Sequence, residues 1–429
     1  VRNPYITGAY VVGSNHYGRA QLLDYLLCSE GRAYWVVGTR RIGKTSLLRQ
    51  LETLAAAGDR YVPIFWDLQG CGSLASMGGY LGDVVRDHME RFEPLGVTDA
   101  MLDERDPLLL LGLLRRLVRR AGRELLLLGD ETEVLIGAAR DEPEAAQRLH
   151  RQLTGGVGLR VVFASTRQIY RMHDVCCDWP TSPFLSGFDM SQTLGSLDAA
   201  AAEALITQAQ APAGCQVAAT AQVVEAITRA TNNHPLLLQL LCWRVFQEDG
   251  ALRLPDAEDM RVDPILAGFF EHDFRQLTGT DRRIVLAVHR AGPTAQAALQ
   301  EVSGDNAAEL AQRVDNLEAL GYLRCADERV TVGNQFLASW LDSASDFLDA
   351  LPAAQTSESA LRTAFARQSN ESTASLVTQL NARRARLIEL EGVRAHDFLA
   401  VSPDVLDEMA QLEAEITELR GLLERRQAP

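Results

Sequence analysis

The sequence predicts an α/β fold, a parallel sheet with helices on both faces, followed by sections that are mainly helical. Three observations predict it. Strand and helix patterns alternate through residues 1–195, the pattern G-x-x-x-x-G-K-[ST] occurs at Gly38–Thr45, and a second apolar run ends in two carboxylates at Asp130-Glu131. The only lysine among 42 basic residues is Lys44, inside that glycine pattern. A compact ammonium on a flexible stem fits between phosphates where a planar guanidinium does not.

The elements follow in order. Ala33-Tyr34-Trp35-Val36-Val37 is a short apolar strand, and Ser46–Leu51 continues beyond the loop with helical spacing. Strand, glycine loop and helix form the P-loop order, in which backbone N–H groups and a helix N-terminus face phosphate oxygens. Gly38, Arg41, Gly43, Lys44, Thr45 and Ser46 are the candidate nucleotide-binding residues, and the Thr45 hydroxyl is a candidate ligand of Mg²⁺. Further strands are expected at 61–67, 124–129, 160–165 and about 190–194. Leu125–Gly129 leads into Asp130, expected to serve Mg²⁺, and Glu131, expected to polarise an attacking water at the strand's carboxyl end. Gly129 stands where an aliphatic residue is commoner and is expected to loosen the strand end. After the fourth strand, Ser165 or Thr166 is a candidate to orient water, and Arg167 a candidate to reach a γ-phosphate. The expected core is thus an ASCE-type P-loop NTPase sheet over 1–196.

Residues 197–262 read as helical only, a lid. Residues 263–345 give three helical stretches and two short strands, Gly321–Cys325 and Arg329–Val332, which predict a winged helix. A linker is expected over 346–360 and a charged helical region over 361–429. Met409, Leu412, Ile416, Leu419 and Leu423 step there at 3-4-3-4, either a self-association seam or a helix packed on its own domain.

Bulk properties narrow the function classes. A net charge of −15 weighs against broad binding to nucleic acid or anionic membranes. The richest apolar run, Leu108–Leu114, is closed by Arg115-Arg116 and reads as a buried helix face. The seven cysteines show neither C-x-x-C nor zinc spacing, and no secretion signal pattern opens the sequence. A reducing cytoplasmic setting is expected.

Taken together, these residues resemble the STAND branch of the AAA+ ATPases, in particular its archaeal-ATPase-like family, over about residues 1–345. Asn3–Gly8 and Tyr17-Gly18-Arg19 are similar to the family's N-terminal stretch, which implies that Arg19 lies near the adenine; Ala20-Gln21 follow where the family carries acidic residues. Ser165-Thr166-Arg167 resembles the Thr-Thr-Arg sensor, which implies a γ-phosphate role for Arg167. Leu194–Leu197 resembles the junction into the lid. Asn233-His234-Pro235 resembles the lid motif Gly-His-Pro, with Asn in place of Gly, and implies that Pro235 helps form the nucleotide pocket.

The resemblance implies a switch that binds ATP or ADP with Mg²⁺ and hydrolyses slowly. Its nucleotide state would be coupled to a protein partner or to self-association through the C-terminal helices. The alternative is a DNA-handling ATPase of the loader or transposition-regulator kind. The expected recognition helix, Asn306–Leu320, argues against that alternative by carrying Glu309, Asp315 and Glu318 against Arg313. A third reading is a scaffold that binds nucleotide without hydrolysing it.

Overall fold

The computed structural model describes residues 2–348 apart from 177, 178, 180–183, 186, 190, 213, 214, 327, 328, 345 and 346. The chain divides into two compact units, Val1–Ala360 and Leu361–Pro429. The hairpin residues Asp327 and Glu328, most of the expected linker and the whole 3-4-3-4 seam lie outside the described residues.

In chain order the first section runs α1 (Ala20–Cys28), β1 (Ala33–Val37), α2 (Lys44–Ala57), β2 (Tyr61–Asp67), α3 (Leu74–Asp87), α4 (Met89–Phe92), α5 (Pro107–Arg120), β3 (Glu124–Asp130), α6 (Leu135–Asp141), α7 (Pro143–Gly155), β4 (Leu159–Ser165), α8 (Met172–Cys176) and β5 (Gln192–Thr193). The five strands form one parallel sheet in the order β2-β3-β4-β1-β5. All five expected strands are therefore present, with the last reduced to two residues.

Both faces of the sheet are covered, so β1 to β4 carry mainly apolar residues on both faces, with Arg160 of β4 a buried exception. Alternate residues Tyr34 and Val36, Tyr61 and Phe65, Leu126 and Leu128, and Val162 and Ala164 pack on Leu47, Leu48 and Leu51 of α2. The residues between them face the other way; the Trp66 indole N–H donates to the Met77 carbonyl of α3 at 3.1 Å.

Gly129 has a packing reason rather than a loosening effect. It pairs with Phe163 in the middle of the sheet, and a Cβ there would meet the Phe163 ring at 2.6 Å and the Thr132 methyl at 3.1 Å. The strand end is held regardless: Leu68 N–H donates to the Asp130 carbonyl at 3.1 Å.

The second section contains α9 (Ala199–Ile206), α10 (Ala221–Thr231) and α11 (Pro235–Val245). It is helical as expected, with two isolated bridges, Ala218 to Ala251 and Phe246 to Leu252. Asn232 and Asn233 adopt φ of 48° and 58°, the left-handed backbone expected at the Asn that replaces Gly. Pro235 then opens α11 at its first turn.

The third section runs α12 (Pro264–Arg275), α13 (Gly279–Ala291), β6 (Thr294–Ala295), α14 (Gln300–Ser303), α15 (Ala307–Ala319), β7 (Leu323–Ala326), β8 (Arg329–Val332) and α16 (Gln335–Ser343). Its strands form an antiparallel sheet in the order β6-β8-β7, one strand more than the sequence pattern shows. Asp263 caps α12 by accepting from the Ile265 and Leu266 amides, and Thr278 and Asp281 form a capping box on α13.

The packing at Gly129 generates a stability prediction. Gly129→Ala should destabilise the chain by about 1–3 kcal/mol through overpacking against Phe163, and Phe163→Leu should recover part of that loss. Urea unfolding of the single and double variants measures both; full additivity would contradict the contact.

Candidate functional site

The P-loop joins β1 to α2 at the carboxyl end of the sheet. Gly43, at φ 103°, takes a backbone conformation that only glycine adopts without strain, and it leads directly into Lys44. Arg41 also has positive φ, 62°. Lys44 is 6% exposed, and its ammonium donates to the Gly38 and Thr39 carbonyls at 3.1 and 3.0 Å. The Thr45 hydroxyl donates to Asp130 Oδ2 at 2.6 Å. Parallel pairing thus brings the hydroxyl of the P-loop helix and the carboxylate of β3 together across the chain.

Beside this contact opens a cleft of about 570 Å³, lined by residues of the N-terminal segment, the P-loop and α11, with Glu131 at one wall. Arg19, Arg41, Gly43, Lys44, Thr45, Ser46, Glu131 and Pro235 all line it. Gly38 and Asp130 lie behind this lining: the Gly38 amide donates to the Ser165 carbonyl at 3.1 Å, and Asp130 is 4% exposed.

Side chains of α2 and α11 hold the N-terminal segment across the cleft. The Val11 amide donates to Ser46 Oγ at 3.1 Å, the Gly13 amide to Gln50 Oε1 at 2.7 Å, and the Ile6 amide to Gln239 Oε1 at 3.0 Å. Ser46 therefore contributes its hydroxyl to this strap. Arg19, at φ 67°, ties the same segment to the junction by donating to the Ser196 carbonyl at 3.1 Å and to the Gly195 carbonyl. Burial lowers the His16 and His234 imidazoles to about 4, with Arg19 adding to the effect, so both are neutral near pH 7.

Glu131 leaves β3 with φ 49°, an uncommon backbone for a glutamate. Burial raises its pKa, and Glu133 and Asp130 raise it further against the opposing pull of Lys44 and Arg40. Burial also raises Asp130, opposed by the Thr45 hydrogen bond and by Lys44.

The residues after β4 depart from the expected arrangement. Ser165 is fully buried, with Oγ accepting from the Trp35 indole N–H at 2.6 Å, and it does not line the cleft. The Thr166 amide donates to Glu133 Oε1. Arg167 is 7% exposed and lies outside the cleft lining, with Nη1 3.6 Å from Asp281 Oδ2 of α13. The third section thus engages the arginine that the sequence assigns to a γ-phosphate.

Two site residues escape the motif pattern. Phe269 of α12 lines the cleft, with the Arg41 guanidinium 4.7 Å above its ring. Asp273, one turn further along α12, accepts the Arg40 amide through Oδ2 at 3.0 Å. Leu266, Phe270, Phe274 and Leu277 recur at helical spacing around it, so a carboxylate standing in an apolar stripe is the signal that could have marked it.

These side chains fit a nucleoside triphosphate with a divalent cation. An ammonium bonded only to loop carbonyls is free to turn toward phosphates. A hydroxyl and a carboxylate 2.6 Å apart are oxygen ligands of the type Mg²⁺ takes, directly or through water.

Asp273 generates a pH prediction. Burial pushes its carboxyl up from 3.8 to about 6, although Lys44, the Arg40 amide and the Arg40 side chain pull the other way; Glu131 adds to the rise. Between about pH 4 and pH 6 the folded chain then holds a proton that the unfolded chain has released. Stability contributed by this group falls as pH rises through that window, by about 1–3 kcal/mol, and is level above it. Urea unfolding at pH 4.5 and pH 7 should show a smaller loss in Asp273→Asn than in the unaltered chain; equal losses would contradict the assignment.

No protein-family model matches the chain, and no curated protein matches it. Among solved structures, it is similar to the Walker-type ATPase PABY2304 of Pyrococcus abyssi, with 13% identity over 78% of this chain and 98% of that one, at a TM-score of 0.56. It is also similar to the ORC2 protein of Aeropyrum pernix, solved in complexes with ADPNP and ADP, at 13% identity over 76% and 91% and a TM-score of 0.47. The RuvB Holliday junction branch migration motor of Thermotoga maritima aligns at 14% identity over 74% and 92%, with a TM-score of 0.33. At these identities the likeness bears on the fold alone, and the two scores below 0.5 carry no argument. With the strand order and the P-loop geometry, the first likeness shows the fold to be that of a P-loop α/β NTPase.

Proposed function

We propose that the chain is an ATP-binding, slowly hydrolysing switch of the STAND type, in which nucleotide state governs the placement of the third section. Self-association or binding of a protein partner would follow from that placement. The observation that carries this reading is the seating of the third section on the nucleotide machinery. Asp273 takes a P-loop amide at 3.0 Å, and Asp281 lies 3.6 Å from Arg167.

In this account Lys44 turns from the Gly38 and Thr39 carbonyls to the β- and γ-phosphates. Thr45 and Asp130 would hold Mg²⁺, which would supply charge neutralisation on the phosphate oxygens when bound. Glu131 accepts the proton of the attacking water, a role favoured by its raised pKa. Arg167 reaches the terminal phosphate only after leaving Asp281, which is a reason for slow turnover. Ser165, held by Trp35, has no part in water positioning. Arg19 and Pro235, both in the cleft lining, frame the base.

We read residues 1–196 as the ATPase core, 197–262 as the lid and 263–345 as a winged helix that serves in packing. Residues 361–429 are then the partner or self-association region, joined by 346–360. The DNA-handling alternative is disfavoured by the surface of α15. Its Arg313 is engaged by Asp281 at 2.9 Å and Asp305 at 2.7 Å, while Glu309 and Asp315 are exposed. Among the described residues no helix is long and apolar enough to cross a membrane.

Light scattering in ADP-Mg²⁺ and in a non-hydrolysable ATP analogue tests the reading. A larger particle with the analogue alone, lost in Lys44→Ala, is expected; a mass indifferent to nucleotide would contradict it. Glu131→Gln should lower turnover by about a hundredfold or more while leaving nucleotide affinity close to unchanged. Unaltered turnover in that variant would remove Glu131 from the chemistry.

A further inference from the structure

Resting on the reading of the cleft as an ATP site, we propose that Asp273 is a specificity residue that makes the closed chain select a diphosphate over a triphosphate. Its carboxylate lies outside the cleft lining, in an adjoining smaller pocket with Thr39, Arg40 and Arg41, and takes an amide of the loop that would receive the phosphates.

Three observations converge on that position. The Arg40 amide belongs to the loop whose N–H groups receive phosphate oxygens, and its proton is already given to Asp273 Oδ2 at 3.0 Å. One N–H cannot fully serve a carboxylate and a phosphate at once. Asp273 is also close enough to Lys44, Arg40 and Glu131 for each to perturb its charge. The direct contact is with the loop, and the charges of the lysine and of the residue assigned to the water act on it from nearby. Lastly, α12 is anchored in the third section, so the carboxylate moves aside only when that section moves. Phe274 is fully buried in the core of the third section, Phe269 lies under the Arg41 guanidinium, and Asp263 caps the helix start.

A diphosphate ends short of this carboxylate, whereas a third phosphate brings a like charge against it. Triphosphate binding then requires α12 to withdraw from the P-loop. The neighbouring helix repeats the pattern: Asp281, at the start of α13, lies 3.6 Å from Arg167. Two carboxylates from one section thus meet two groups that a terminal phosphate would otherwise occupy, and a single displacement of that section frees both.

The test is calorimetric titration of the full chain with ADP-Mg²⁺ and with a non-hydrolysable ATP analogue. Unaltered chain, Asp273→Asn and Asp273→Ser are compared, with thermal melting in ADP to establish that each is folded. The unaltered chain should prefer ADP by about tenfold or more. Both variants should shrink that preference by about tenfold, through tighter analogue binding, with ADP affinity held within about threefold. An unchanged preference in folded variants, or a preference of the unaltered chain for the analogue, overturns this proposal and leaves the nucleotide site standing. Binding of neither nucleotide by the unaltered chain overturns both.

Discussion

The parallel pairing of β1 with β4 and of β4 with β3 is the constraint on which the site depends. Parallel strands end at the same edge of a sheet, so the residues that follow β1, β3 and β4 must emerge side by side. That is why Thr45, at the start of the helix after β1, can place its hydroxyl 2.6 Å from Asp130 at the end of β3. The cost of this order is a sheet buried on both faces, with no tolerance for a misfit side chain in its middle strands. Gly129 answers one such misfit by leaving room for the Phe163 ring. The absent side chain therefore leaves β3 and β4 room to pair one residue before Asp130.

Around this edge the other parts of the described chain act as covers. The N-terminal segment is strapped to α2 and α11 through Ser46, Gln50 and Gln239, so the core and lid are tied by backbone amides that any nucleotide must enter beneath. The third section covers the phosphate end with Phe269 and Asp273 of α12. The two covers differ in chemistry. The strap offers the uncharged imidazole of His16, suited to a base, while α12 offers a carboxylate, which favours the loop only while no further negative charge arrives. An interaction of that kind is conditional, and conditional contacts are what a two-state element needs.

Much of this was legible in the sequence because the rules involved are local. The strand–loop–helix order, the carboxylates after Gly129 and Pro235 at the start of α11 are written in adjacent residues whose backbone preferences match the structure. The left-handed Asn233 was readable for the same reason. What was not legible depends on contacts between distant segments. Nothing near Ser165 in sequence shows that Trp35 takes its hydroxyl, because that contact arises from the register of β1 on β4. Arg167 reads as a phosphate sensor until Asp281, more than a hundred residues away, is seen beside it. Asp273 carries no motif; its meaning appears only when α12 is laid on the P-loop. The strand β6 is two residues long, too short to show a period.

The central claim is that α12 leaves the P-loop when a triphosphate replaces a diphosphate. Amide hydrogen exchange over residues 264–275, compared in ADP-Mg²⁺ and in a non-hydrolysable ATP analogue, measures it most directly. The account predicts faster exchange along α12 with the analogue than with ADP, while β1 and β3 keep their protection. Equal protection of α12 with both nucleotides bound would contradict it.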